Sequence, residues 1–279
     1  MAIRIVTDSS CDLTDEELTT NGIEVVPLSI RFGDQEFEDR SELTVEAFYE
    51  KLASTPVLPE TAAPSPGKFE AAFRRQIAAG ADGVVCVNLS AGLSATMQSA
   101  QNAALAVKDD FEVHVVDSGS ITSGLGTQAL LAAEAASGGA SAEEIVELVG
   151  QLTRRTRVFG ALDTLDNLKK GGRIGGAKAL LGSLLSFKPI LDLSSGIVEE
   201  AGKPRTRRRA LEALRDKVVE AGEVERLCVT HGFAPDLDQM LDLLAPHHRR
   251  EDIRIGHIGP VIGTHGGPRV MGVTWLQPA

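Results

Sequence analysis

The chain has 279 residues, 43% of them hydrophobic and 24% charged, a globular composition that excludes a wholly disordered protein. Lys and Arg number 28 against 39 Asp and Glu, a net charge of −11, and aromatic residues make up 4%, so no nucleic acid partner is expected. The three cysteines, Cys11, Cys86 and Cys228, are widely spaced without a CxxC pair, which suits a reducing compartment and offers no thiolate cage for a metal.

Residues 3–7 form a β-branched apolar run that ends in Asp8-Ser9-Ser10 and predicts a strand. No basic region followed by an apolar core opens the chain, and no apolar run approaches the ~18–20 residues of a membrane-spanning helix. The expectation is a soluble protein of the cytoplasm. A short helix is predicted over 13–20, a strand over 23–32, a turn at Gly33-Asp34 and a helix over 45–53. Residues 56–66 read as a proline-punctuated loop feeding a helix over 67–79, with Phe69, Ala72, Phe73 and Ile77 on one face. Buried-type strands at 84–87 and 113–116 flank a helix over 93–107. This alternation predicts a parallel sheet covered on both faces.

Helices over 122–136 and 142–153 follow, with a break at 137–141 around Gly138-Gly139. Beyond them come a strand over 158–162, a helix-prone 164–170 and a glycine-rich 171–182. A hairpin follows at 189–193 and 197–200 around Ser194-Ser195-Gly196. The remainder predicts a helix over 208–221, a strand over 226–230, a helix over 237–244 and strands over 253–258 and 270–275. The fold class is therefore α/β, with an N-terminal domain over 1–155 and a C-terminal domain over 156–279.

Enzyme signatures fail one by one. Gly171 and Gly176 are spaced as in a Walker loop, but Ala177-Lys178 replaces the Lys-Ser/Thr pair. Gly124-Leu-Gly126-Thr-Gln-Ala129 fits a loose dinucleotide fingerprint, but the preceding strand ends too far back for a strand-to-helix turn. GxSxG and HExxH are absent, and Asp8-Ser9-Ser10-Cys11-Asp12 is not a DxD phosphotransfer loop. Neither a metal nor a cofactor is expected.

Four polar positions stand out. Ser94, in Leu89-Ser-Ala-Gly-Leu-Ser94, falls at or near a helix start, where free N–H groups and the positive dipole end favour an anion; a plain N-cap serine is the alternative. Thr61, in Glu60-Thr61-Ala-Ala-Pro64, stands just before another helix start, with local satisfaction of loop backbone as its alternative. Arg173 lies among glycines that let the backbone approach a ligand, its guanidinium suited to carboxylate or phosphate, unless the segment is only a surface loop. His265, in Gly263-Thr-His265-Gly-Gly-Pro268, reads as a glycine-flanked loop histidine, either functional or merely solvated.

Six fragments in order resemble the DegV family over essentially the whole chain. They are Thr7-Asp8-Ser9-Ser10-Cys11-Asp12-Leu13, Thr61-x-x-Pro64-Ser65-Pro66 and Leu93-Ser94-Ala95-Thr96-Met97-Gln98-Ser99-Ala100. Then come Val116-Asp117-Ser118, Gly171-Gly172-Arg173-Ile174-Gly175 with Lys188-Pro189-Ile190-Leu191, and Gly263-Thr264-His265-x-Gly267-Pro268. The resemblance implies a fatty-acid carrier subunit of a bacterial fatty acid kinase. Its acyl chain would lie in a tunnel between the two domains. Hydroxyls matching Thr61 and Ser94 would hold the carboxylate, with Arg173 and His265 nearby, where the partner kinase delivers the γ-phosphate of ATP to form an acyl phosphate for phospholipid synthesis.

Expected partners are thus a fatty acid, the kinase and, transiently, a membrane surface; the carrier itself needs no cofactor and is not an enzyme. Ala62-Ala63 stand where relatives commonly carry Ser-Gln, which removes a hydrogen bond or leaves it to water. Arg269, where a glycine is usual, would add a cation near the headgroup. The basic run over 203–209 is either a docking patch for the kinase or a solvated hairpin end. Two other readings compete: an esterase or acyltransferase with Ser94 as nucleophile and His265 as base, and a small-molecule-binding regulator.

Overall fold

The computed structural model describes residues 2–180 and 187–279; residues 181 and 182 of the predicted glycine-rich stretch lie outside them. The first part runs β1 (Ile3–Asp8), α1 (Asp15–Asn21), β2 (Glu24–Val26), β3 (Ser29–Phe32), β4 (Gln35–Glu38), α2 (Val45–Ser54) and β5 (Glu60–Ala62). It continues with α3 (Pro66–Ala78), β6 (Gly83–Asn88), α4 (Thr96–Val107) and β7 (Glu112–Asp117). Next come α5 (Thr122–Ser137), α6 (Ala142–Arg155), β8 (Thr156–Ala161), α7 (Asp166–Gly171), β9 (Ile190–Asp192), β10 (Glu199–Gly202) and α8 (Arg207–Glu220). The chain ends with β11 (Glu225–His231), α9 (Leu237–Leu244), β12 (Arg254–His257), α10 (Pro260–Gly266) and β13 (Met271–Leu276).

Among the described residues the strands form three sheets. A parallel sheet has the order β2-β1-β6-β7, an antiparallel one β4-β3-β5, and a six-stranded sheet β10-β9-β8-β13-β11-β12. All pairs of the largest sheet are antiparallel except β11 with β12. The molecule is α/β as its alternation predicts. Local chemistry starts and stops the helices. Thr14 and Ser141 close capping boxes with Glu17 and Glu144, Pro66 occupies the first turn of α3, and Gly22 ends α1 in the left-handed region.

Several expectations need correction. The strand read over 23–32 is broken at Pro27 into β2 and β3, which belong to different sheets, because proline lacks the N–H a ladder needs. The loop over 56–66 contains β5, which pairs with β3 through Ile30 and Thr61. β7 is an edge strand and only half-buried, although α4 and α6 both pack against it. The segment of His265 is not a loop but α10: Pro260 starts it, and its glycines hid the helix.

Helix α5 lies between the two large sheets, packed on β1 and reaching β8, β11 and β13. Its glycines are there for closeness. A Cβ on Gly126 would stand 2.5 Å from the Cys11 carbonyl oxygen, and one on Gly124 would meet Val158 at 3.0 Å. The loose dinucleotide fingerprint is therefore a packing feature. Ile5, Leu125 and Ile145 on one side, and Val158, Leu191 and Val270 on the other, belong to one buried apolar cluster. This cluster surrounds the cavity described next.

Candidate functional site

A cavity of about 860 Å³, counting the solvent at its mouth, runs between α5, α10 and the six-stranded sheet. Strand alternation builds its floor: Val158, Gly160 and Leu162 from β8 and its end, and Val270, Gly272 and Thr274 from β13 and its start, line it at every second position. Leu191, Leu193 and Val198 continue the floor, and Leu89, Leu93, Ile121, Ile258 and Val261 close it from above. Among the described residues Arg173 is the one Lys, Arg, Asp or Glu in a lining that is otherwise mostly aliphatic. Such a void suits a long apolar ligand with one anionic group.

Thr61, Ser94, Arg173 and His265 all line this cavity. They come from four segments and meet through a chain of contacts. Thr61 on β5 places Oγ1 3.0 Å from Nε2 of His265 on α10. The imidazole lies so close to Gly171 that a Cβ there would stand 2.3 Å from Nδ1. Arg173 donates from Nη1 to the Gly171 carbonyl (2.7 Å) and from Nε to the Leu93 carbonyl (3.1 Å), beside Ser94. Asn167 on α7 donates to the Thr264 carbonyl at 2.9 Å and holds α10 in this register.

The loop bearing Ser94 is pinned from beneath. The buried Asp8 carboxylate accepts from the Leu89 amide (2.8 Å), Asn88 Nδ2 (3.2 Å) and the amide and hydroxyl of Ser10. Burial pushes the Asp8 carboxyl up, and these hydrogen bonds pull against it. Ser90 ties the same loop to the Gly196 carbonyl. Ala95, not Ser94, is the residue before α4; Ser94 Oγ accepts from the Thr96 amide at 3.3 Å and shares a hydrogen bond with the Thr96 hydroxyl at 2.8 Å. Its hydroxyl thus stays at the helix N-terminus.

Burial, reinforced by the Arg173 charge, brings His265 down from 6.5 to about 4, so the ring is neutral at pH 7. Nδ1 has no hydrogen-bond partner among the described residues. A buried bare acceptor is more readily tolerated than a buried orphan N–H, so we assign the proton to Nε2. His265 then donates to Thr61 Oγ1, and the Thr61 hydroxyl hydrogen is released toward the cavity.

The lowered value sets a pH dependence. A neutral buried base contributes stability that is complete above pH 6.5 and is lost as pH falls toward 4, roughly 3 kcal/mol in all. His265→Asn should lack this component, so the stability gap between wild type and variant should shrink by that amount from pH 7 to pH 4 in urea titrations. A constant gap would contradict the assignment.

Arg269 does not line the cavity. Its guanidinium sits 3.6 Å from both Asp163 and Asp236, which Arg207 also engages, so two carboxylates draw it away from the headgroup position. The basic run is likewise largely engaged internally: Arg208 and Arg209 pair with Glu212, and Lys203 lies 3.8 Å from Glu200. The dyad that a Ser94 nucleophile requires is not formed, because His265 bonds to Thr61 and Ser94 to Thr96. Far from the cavity, ligand-type atoms of Glu112, His114 and Glu143 lie within 4.8 Å of one another at the β7 edge. Sequence reasoning missed Thr230 and Thr274 on the floor, as well as the Gly160–Gly272 pair between adjacent strands.

Comparison with known proteins places this architecture. A DegV domain-containing protein of Streptomyces coelicolor, SCO2569, is 36% identical over 279 residues, 97% of either chain. A solved DegV family protein from Thermus thermophilus, described as binding fatty acid, superposes with a TM-score of 0.89 at 33% identity, each chain fully covered. DegV from Bacillus subtilis, described as a fatty acid binding protein, superposes at 0.86 with 29% identity, again over both whole chains. The profile of the DegV family of uncharacterised proteins matches residues 2–277, and the chain therefore belongs to that family.

Proposed function

We propose that this protein binds a long-chain fatty acid in the cavity and presents its carboxylate to a partner ATP-dependent kinase, which forms an acyl phosphate for phospholipid synthesis. The observation that carries the reading is the convergence of Thr61, Ser94, Arg173 and His265 in an otherwise aliphatic cavity. The fatty acid binding described for the relatives from T. thermophilus and B. subtilis supports it. In this reading residues 1–155 supply Thr61 and Ser94, residues 156–279 supply Arg173 and His265, and the protein works in the cytoplasm.

The energetics are favourable. A C16 chain has ~14 methylenes, whose burial at ~0.8 kcal/mol each is worth on the order of 11 kcal/mol before the costs of ordering. The carboxylate must find donors, because a buried unpaired anion is very costly. The hydroxyls of Thr61 and Ser94 supply them, and the Arg173 guanidinium balances the charge. Hydrogen bonding to neutral hydroxyls leaves a carboxylate lone pair to attack the γ-phosphorus. The new bond is carboxylate oxygen to phosphorus, the β–γ bridging bond breaks, and ADP leaves with that electron pair while Arg173 stabilises the equatorial oxygens. The nucleotide belongs to the kinase in this scheme.

Unfolding the purified protein in organic solvent should release about one equivalent of a C14–C18 fatty acid to mass spectrometry; an empty or polar-ligand cavity would refute the reading. Ser94→Ala should weaken fatty acid affinity roughly ten- to a hundredfold, the worth of one hydrogen bond to a charged group. Arg173→Ala should retain lipid yet yield no acyl phosphate when the kinase and ATP are added. Exchange of the two phenotypes would refute the division of roles.

A further inference from the structure

Two hydroxyls on the cavity floor are out of place in a lipid tube. Thr230 on β11 is fully buried and Thr274 on β13 is 2% exposed. Both line the cavity, and neither Oγ1 has a hydrogen-bond partner among the described residues. Valine has the same shape without the hydroxyl, so a floor for a plain alkyl chain would be better built from valine at both places. Leaving a buried hydroxyl unpaired is unfavourable, and here it happens twice on one face.

Their placement is informative. Thr230 pairs with Gly272, and Thr274 stands two residues further along the same strand. Gly160 pairs with Gly272 from the other side, so two glycines leave a bare strip of floor. The Thr230 hydroxyl leans over that strip: a Cβ on Gly272 would lie 2.9 Å from Oγ1, whereas the Thr230 methyl faces Gly256 on β12. Val270 touches the end of α10 that carries His265, since a Cβ on Gly266 would stand 3.0 Å from it. From Val270, Gly272 lies about 7 Å and Thr274 about 13 Å along the strand. In an extended chain these depths correspond to about five and about ten carbon–carbon bonds.

We propose that the cavity selects acyl chains bearing an oxygen substituent, a hydroxyl or a keto group, in mid-chain. This rests on the fatty-acid reading and narrows its substrate class. An oxygen near the shallower depth pairs with Thr230 and one near the deeper with Thr274, a hydroxyl donating or accepting and a keto oxygen accepting. An unsubstituted methylene leaves both threonines unpaired.

The test compares stearic acid with 10- and 12-hydroxystearic acid on the delipidated full-length protein by competition with a fluorescent fatty acid. At least one hydroxy acid should bind tenfold or more tighter than stearic acid. In the Thr230→Val/Thr274→Val double variant the preference should reverse toward stearic acid. The delipidated double variant should also melt at a higher temperature than wild type, having lost two unpaired hydroxyls. Tight stearic acid binding with equal or weaker binding of both hydroxy acids overturns this inference alone, as does a preference that survives in the double variant. Failure of all three acids to bind overturns the fatty-acid reading itself.

Discussion

Asp12→Asn should make the protein markedly more stable than wild type at pH 9 while changing it little below pH 4. The residue follows a short 3-10 turn at Ser9–Cys11 and sits in the left-handed region at φ 52, which asparagine adopts at least as readily as aspartate. The residue is half-buried, but Oδ2 is fully buried and Oδ1 accepts from the Gly259 amide at 3.0 Å. Burial raises the carboxyl from 3.8 to about 8, the nearby Thr122 hydroxyl opposes this, and the Asp39 carboxylate raises it further.

The folded protein holds this proton up to about pH 8, whereas the unfolded chain releases it near 4. The stabilisation is complete below pH 4 and disappears as pH rises through 8, a loss on the order of 3 kcal/mol between pH 6 and pH 9. Asparagine keeps the carbonyl that Gly259 requires and cannot ionise. The expected result is a melting temperature for the variant several degrees above wild type at pH 9, with the gap narrowing as pH falls and the two curves converging below pH 4. Parallel pH profiles would contradict a buried neutral Asp12. The consequence reaches the site, because Gly259 precedes α10, which carries His265, and Thr122 lines the cavity.

The parallel sheet and its helices were readable because periodicity and caps agree there: Phe69, Ala72 and Phe73 are buried on one face of α3, and β6 is buried throughout. β5 and α10 were not. Three residues between prolines are too few to show alternation, and α10 is rich in glycine, so tertiary contact rather than propensity holds both. Thr61, Ser94, Arg173 and His265 each carried a local signal, a helix start or flanking glycines, that left a bland alternative open, and only the ordered fragments joined the four. Thr230 and Thr274 carried no signal at all, since a threonine in a strand reads as an ordinary β-former. The neutrality of His265 was equally invisible, because it depends on burial and on an arginine distant in sequence. Arg269 failed as a headgroup cation for the converse reason: its carboxylate partners also come from far along the chain.

Gly160→Leu should abolish long-chain binding without harming the fold. Gly160 is the penultimate residue of β8 with ordinary backbone geometry, and the nearest atoms to a Cβ there are Leu162 Cδ1 at 3.8 Å and the Met271 carbonyl oxygen at 3.9 Å. A side chain at this position therefore enters the cavity instead of striking its walls. Its strand neighbour Gly272 is unsuitable, because a Cβ would stand 2.9 Å from Thr230 Oγ1. Leucine favours the strand over glycine and buries its own methyls, so the empty variant should melt at or above the wild-type temperature. If leucine excludes even four methylenes of the ligand, the loss is about 3 kcal/mol, or more than a hundredfold in affinity for palmitic acid. Gly160→Ala, whose Cβ makes ordinary contact, should cost far less, and this grading separates a filled cavity from a damaged fold. A leucine variant that retains palmitic acid at wild-type affinity would place the acyl chain elsewhere in the molecule.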